Sequence, residues 1–503
     1  MTEKNYIGIT IGPIFETMNL VSSPSALWAS SYIFSYISKS ICGKLVIEPY
    51  NIPEEKIVTP YYRGRSAAVT RNDGVGLFHD RIIFEKPDGF NIAAIEDIKK
   101  QIINDIASEF GINNSTGFLN EYIMISAAEF TAENPILDGS VILDSLELSK
   151  SFVASESKNP ILDTFTSAKT SNDKTNAENE RVLSRNSKIK SIVKDSLKLK
   201  GWQLFTDGED GIKDLGDIAR CDANDKKYND YCAIVRADGD RIGTIIEGLG
   251  FENPEMNFSK FSETCFSYCS QAAELVKKYG GVTIYSGGDD LLAILPAQSE
   301  KGTLFDFAKE LTDTFNTVFK TFIDNCKDCK PSLSVAIYLF FKKFPLYEAL
   351  SESVSLLFDT AKGTRNCVAF RLRKHSGQSV EIVIPNDSLP DVIGLQNKIL
   401  QPVKAGKADS NRTDDIIVSA LQKIALFDKL FEIAKTDVQV DNLFNNVFDA
   451  DAHTSNPFLH DSLPEAYNKL RNKKKPIFIS NKKDTFPNAF SAVMRIIKFY
   501  LEK

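Results

Sequence analysis

Short β-branched runs alternate with helix-periodic stretches in two long tracts of the chain. Between residues 5 and 130 the order is the strand-like NYIGITIG, a helical tract from Ser25 to about Cys42, and the run KLVIEP. Strand-like RIIF (81–84), helical AAIEDIKKQIINDIASEF and strand-like EYIMISAAEF follow. Alternation predicts strands and a repeat of three to four residues predicts helices, so this tract reads βαββαβ. From residue 230 the same order returns: YCAIVRA, helical FSETCFSYCSQAAELVKKY, the paired runs of GVTIYSGGDDLLAIL, helical TLFDFAKELTDTFNTVFKTFI and strand-like SLSVAIYLFF. A helix PLYEALSESVSLLFDTAK and a strand NCVAFRLR complete that unit. The fold class expected is α+β, with two ferredoxin-like units repeated in element order and not in residue identity.

Around the units the pattern changes. A polar run, TSAKTSNDKTNAENERVLSRNSK, and the helical KIKSIVKDSLKLKG lie between them. After residue 386 the periodicity is helical, with Ile417, Leu421, Ile424 and Phe431 on one stripe. The expected organisation is a first unit over 1–150, a polar and helical linker over 151–229, a second unit over 230–385 and a helical bundle over 386–503. Several cores are needed in any case, because a chain of 503 residues exceeds what one hydrophobic core supports.

Composition excludes more than it assigns. Apolar residues at 43% and charged residues at 25% are ordinary globular usage. No run approaches a membrane span and no basic-then-apolar leader opens the sequence, so a cytoplasmic protein without a membrane partner is expected. The net charge of −7 argues against a surface that wraps nucleic acid, and the basic stretch RNKKKP with NKK (471–483) reads as a solvated face. Eight cysteines in so long a chain do not suggest a disulfide scaffold.

The candidate chemistry is acidic. In YSGGDDLLAIL, Gly287 and Gly288 permit a tight turn and a close backbone approach to a ligand, and Asp289 and Asp290 stand at that turn. Some fifty residues earlier Asp238 and Asp240 follow an apolar strand. In a βαββαβ sheet that strand neighbours the central hairpin, so Asp238 faces Asp289 across adjacent strands. Neighbouring residues of one strand point to opposite faces, so Asp289 and Asp290 share a single site only if the turn bends them together. Paired carboxylates suit hard Mg²⁺ or Mn²⁺, and the chemistry this suggests is metal-assisted transfer at phosphorus. Lys362 and Arg365, at a helix C-terminus, read either as dipole capping or as triphosphate ligands.

ADGDRIG, SGGDD, PLYEAL with the following AKGTRN, and RKHSG resemble the cyclase-type palm domain of the large subunit of type III CRISPR effector complexes. TIGPIFE, LWASSYIFSYIS and GLFHDR resemble the first palm of that family, particularly its Cmr branch. The resemblance implies a subunit that works with other complex subunits, guide RNA and target RNA, and that joins ATP into cyclic oligoadenylates when target RNA is bound. It implies two metal ions held by Asp238 and Asp289, with Asp290 and Asp240 assisting, and a nucleotide lined by Gly239, Ser286, Gly287 and Gly288. The first unit has Gly12-Pro13 where the second has Asp238, so it would shape a pocket without holding metal.

The family pattern is incomplete here. Many relatives open with an HD nuclease domain, for which a first strand near residue 5 leaves no room, and His79-Asp80 and His460-Asp461 lack companions among four histidines. DNA cleavage is therefore not expected. Zinc is not expected either, since Cys221 and Cys232 fall short of a four-cysteine site and Cys326 and Cys329 lie elsewhere. Three other readings stay open: transfer of AMP from ATP to S-adenosylmethionine by the same site, a diguanylate-type cyclase, and a catalytically silent scaffold subunit.

Overall fold

A computed structural model describes residues 3–19, 23–63, 76–110, 116–148, 214–220, 226–326, 330–400, 411–448, 458–480 and 484–502. The polar run between the units, Cys221 and Cys329 lie outside these residues. Among the described residues no helix is long and apolar enough to cross a membrane.

The first unit follows the expected βαββαβ order. Strand β1 (Lys4–Gly12) leads through helices Ile14–Asn19 and Pro24–Leu45 to β2 (Ile57–Thr59) and β3 (Arg81–Glu85). Helices Ala94–Phe110 and Thr116–Tyr122 then lead to β4 (Met124–Ala132). The sheet order β2-β3-β1-β4 is ferredoxin-like, with β1 antiparallel to β3 and β4. One element moves. KLVIEP is not a strand: its first two residues finish the helix Pro24–Leu45, Val46 N still donates to Cys42 O, and Ile47 is exposed in the turn that follows. Hairpin pairing falls instead to the three-residue β2, whose Ile57 and Thr59 meet Phe84 and Ile83 across a register shift.

The second unit is built on β5 (Tyr231–Asp240), β6 (Val282–Gly287), β7 (Asp290–Pro296) and β10 (Ser332–Phe341), a short β8–β9 hairpin (298–299 and 302–303) intervening. Helix Phe258–Lys278 opens with Asn257 accepting from Ser259 N and buries Phe261, Tyr268, Ala272, Leu275 and Val276 on its inner face. The reading ended this unit at NCVAFRLR, but that segment is β11 (Cys367–Arg373), which lies parallel to β10 and outside the ferredoxin core. A further strand that the sequence reading lacked, β12 (Ser379–Pro385), pairs antiparallel with β11. The full order is β12-β11-β10-β5-β7-β6.

Alternation along β5 decides what each face does. Tyr231, Ala233, Val235 and Ala237 enter a core shared with helices Phe258–Lys278 and Leu304–Val318 and with the helices after residue 389, while Cys232 and Ile234 enter a second core. That second core also takes Ile7, Ile9 and Ile11 of β1 and Trp28, Ile33 and Ile37 of helix Pro24–Leu45. The two units thus share apolar interior, and the second has helices on both faces of its sheet.

Candidate functional site

Ladder register brings the acids together. On β5 and β7, Arg236 pairs with Leu292 and Ala237 with Leu291, so one step further Asp238 stands opposite Asp290 at the sheet end. The Gly288 turn, at φ 68°, bends the chain so that Asp289 joins them. Ligand oxygens of Asp238, Asp289 and Asp290 all lie within 4.8 Å of one another, and among the described residues this is the one such cluster of three His, Cys, Asp or Glu side chains. Both hairpin aspartates therefore take part.

Gly239 explains the closeness. Its N–H donates to Asp289 Oδ2 at 3.1 Å, and a Cβ there would fall 2.6 Å from that oxygen and 2.6 Å from Ile242 Cγ1. Gly287 leaves room for the Tyr285 hydroxyl, which a Cβ would overlap. Lys362 reaches in after a π-type turn over Leu356–Ala361, placing Nζ 2.7 Å from Asp238 Oδ1 and 2.6 Å from Gly239 O. It does not cap its helix.

The electrostatics follow from crowding. Burial and then the Asp238 charge push Asp289 up to about 7, against the opposing pull of Lys362 and the Gly239 amide. Burial raises Asp238 as well, with Lys362 opposing. Surrounding protein and the carboxylates of Asp289 and Asp238 raise Asp290, although its side chain is the most exposed of the three and water there weakens the contribution of burial. Three acids held this close fit a hard divalent cation, which would relieve their mutual repulsion.

Three expected site residues are placed elsewhere. Asp240 is not in the cluster: it is 1% exposed, accepts from Ser332 and Ser334 hydroxyls at 2.8 Å and from Asn366 N at 2.8 Å, and stands 3.4 Å from Lys362 Nζ. With its oxygens committed, it orients Lys362 and the loop before β11. Ser286 faces the interior, its hydroxyl donating to Cys269 O at 3.1 Å. Arg365 is exposed and, with Asn366, has positive φ, a strained pair held by Asp240 and by Asn386, whose Nδ2 donates to Asn366 Oδ1 at 2.9 Å. Asp240→Ala is expected to lower the melting temperature by removing about 3 kcal/mol of charge-assisted bonding. Thermal unfolding beside Asp240→Asn, which keeps part of that bonding, checks this.

Sequence reasoning missed Arg236, although a lone arginine in YCAIVRA was a visible signal. Its Nε donates to Ser353 Oγ at 2.9 Å, and burial lowers its pKa to about 10 while Asp290 opposes. Arg236 and Asp290 line a cavity of about 370 Å³ between the units, with Gly12, Phe15, Glu16, Asp80 and Glu147 from the first. A second cavity of about 350 Å³ holds Tyr61, His79, Phe266, Gly288 and Asp289, and Asp80, Tyr285 and Asp290 line both. His79 is partly buried, bonded to Thr59 Oγ1 at 2.8 Å and pushed down to about 4 by burial and by Arg81, while His460 bonds Asn445 Oδ1 at 2.8 Å. Cys232 is buried in β5 and Cys326 is buried after helix Lys320–Asn325.

A ferredoxin-like sheet with acids on adjacent strand ends beside a glycine turn has the layout of a palm domain. Residues 231–369 match the family described as Cas10/Cmr2, second palm domain, so the second unit is similar to the second palm of Cas10/Cmr2 proteins. The chain is 30% identical over 171 residues to the CRISPR system Cmr subunit Cmr2 of Pyrococcus furiosus, a match covering 29% of this chain and 19% of that protein. The chain thus aligns with less than a fifth of that relative's length. Csm1 of T. onnurineus has a similar fold at 13% identity and a TM-score of 0.55, over 100% of this chain and 70% of that one. The apo type III-B Cmr-beta structure includes a similar chain at 11% identity and a TM-score of 0.52, covering 99% and 82%. A Csm1-Csm4 cassette in complex with cA4 is similar at 13% identity and 0.52, covering 99% and 70%.

Proposed function

We propose that this chain is the nucleotidyltransferase subunit of a type III CRISPR complex, converting ATP to cyclic oligoadenylates when guide RNA pairs with target RNA. The observation that carries the reading is the meeting of Asp238, Asp289 and Asp290 at a glycine turn with Lys362 beside them. The three carboxylates would hold Mg²⁺ or Mn²⁺, which when bound supplies charge neutralisation at the α-phosphate and a more acidic attacking 3′-hydroxyl. The other contributions belong to the protein. Gly288 and Gly239 allow the backbone to approach the triphosphate, and Lys362, freed from Asp238, donates to its oxygens. Arg236, with a guanidinium that stays charged at neutral pH, marks the acceptor side. The first unit closes that side with Phe15 and Asp80 and holds no part of the acid cluster. Regulation by target RNA and the other subunits belongs to this proposal too, as does work in the cytoplasm.

One observation favours a second acceptor. Among the described residues, the cavity beside Asp290 is lined by Glu16, Asp80 and Glu147 with one cation, Arg236, and even with Glu147 paired to Arg81 at 3.2 Å the remaining acids suit a cationic acceptor such as S-adenosylmethionine better than a second triphosphate. Nothing in the site favours GTP.

The complex with guide and matching target RNA, given Mg²⁺ and α-labelled ATP with or without S-adenosylmethionine, tests both readings by product mass. Cyclic adenylates without the methionine compound are expected. A conjugate of AMP formed only in its presence selects the second acceptor, and no product under either condition leaves a scaffold. Lys362→Ala is expected to cut the rate by about 10²-fold, as loss of one preorganised donor to a transition-state oxygen does. Steady-state kinetics in ATP check this.

A further inference from the structure

The segment 76–80 of the first unit runs between helices Pro24–Leu45 and Phe258–Lys278 before becoming β3. On one side Phe78 N donates to Ser35 Oγ at 2.9 Å and Ser38 Oγ donates to His79 O at 2.7 Å. On the other, Ser286 N of β6 donates to Gly76 O at 3.3 Å, and Leu77 is buried against Cys269 and Ala273 with Phe266 alongside. Cys269 is fully buried and connects in turn to the acidic hairpin: its thiol donates to Gly288 O at 3.3 Å, and its carbonyl accepts from Ser286 Oγ at 3.1 Å. Gly288 is the left-handed residue of the turn, and the next residue is Asp289.

We infer that Leu77 and Cys269 form a clasp that sets the Gly288 turn from behind, so that the placement of Asp289 among the three acids depends on the first unit being docked. Cys269 is a positioning residue. Buried, with its thiol pKa raised by burial, it acts as a neutral donor and not as a nucleophile. The physical reason is one of support. A turn at positive φ bearing a repelled carboxylate has no intrinsic preference for the clustered geometry, and here two hydrogen bonds and an apolar anchor supply it. The first unit thereby acts on the acids without touching them. The assignment rests on the reading of the acids as a divalent metal site only for its second readout below.

Hydrogen exchange by mass spectrometry on the metal-free full chain is the first readout, with peptides covering 284–292 and, as reference, 334–341. Leu77→Ala and Cys269→Ala are expected to speed exchange of the hairpin peptide while the reference peptide is unchanged, and Cys269→Ser, which keeps a donor, is expected to restore protection. Leu77→Val serves if the alanine variant does not fold. Mn²⁺ titration is the second readout, and loss of supporting contacts of this kind is expected to weaken binding by about tenfold. Unchanged hairpin exchange, or equal acceleration in both peptides, overturns the clasp. Altered hairpin exchange with no Mn²⁺ binding even by the unmutated chain leaves the clasp standing and removes the metal reading instead.

Discussion

Asp289→Asn is expected to abolish nucleotidyl transfer and, in the same protein, to raise the melting temperature of the metal-free chain at pH 8. The first effect follows from removing one of three charges that would hold the cation, a loss of about 10³-fold or more in rate. The second follows from linkage. The carboxyl of Asp289 titrates at about 7 in the folded chain, above its value of about 4 when unfolded. Between those values the folded state binds the extra proton, so its contribution to stability falls as pH rises from about 4 to about 7 and stays low above that. The full shift corresponds to ~4 kcal/mol, and water reaching the partly exposed cluster reduces it to ~2 kcal/mol. Asparagine keeps an oxygen for the Gly239 amide and has no charge to expel. The stabilisation should therefore disappear at pH 4, and Mg²⁺ should raise the melting temperature of the unmutated chain but not of the variant. Scanning calorimetry at both pH values with and without Mg²⁺ checks all three statements. A variant less stable than its parent at pH 8 would show that the acids are not in conflict.

Gly239→Ala is expected to disable the site without unfolding the protein. The new methyl would lie 2.6 Å from Asp289 Oδ2 and 2.9 Å from Ile242 Cδ1, closer than side chains tolerate. Relief requires Ile242 to yield and Asp289 to swing away, and the second movement ends the juxtaposition with Asp238. Mn²⁺ affinity should fall by about 10–100-fold and activity with it, while the far-ultraviolet spectrum stays that of the parent. Gly243→Ala, four residues along in a helix where a Cβ meets nothing within 4 Å, is the matched control and should bind Mn²⁺ normally.

What the sequence revealed and concealed divides along physical lines. The repeated βαββαβ order was legible because alternation and helical periodicity are local properties, carried by residues such as Ile7, Ile9 and Ile11 in β1. KLVIEP misled because Leu45, Val46 and Ile47 suit a strand by composition, while the outcome was decided by whether the preceding helix had finished. The acids were legible as a pair of strand ends, since Asp238 and the hairpin fall where a ferredoxin sheet places neighbours. Whether Asp240 or Asp290 would join them was not, because that depends on the Ser332 and Ser334 hydroxyls across β10 and on the bend at Gly288. Ser286 failed for the same reason: its facing was set by β6 packing on Cys269. Arg236 was the one missed residue with an audible signal, an ion placed among apolar neighbours.

The palm sheet ends in two strands, β6 and β12, and neither edge is left bare. Gly76 O meets Ser286 N along β6, and Val383 exchanges two backbone bonds with Phe478 along β12, at 2.8 and 3.1 Å. Exposed edges are where sheets recruit one another into aggregates. With its own chain bonded to each edge, this sheet carries less risk of strand exchange with a neighbouring sheet at high local density. Loss of the 76–80 contact would uncover β6, and colloidal stability would then decline together with the geometry of the acids.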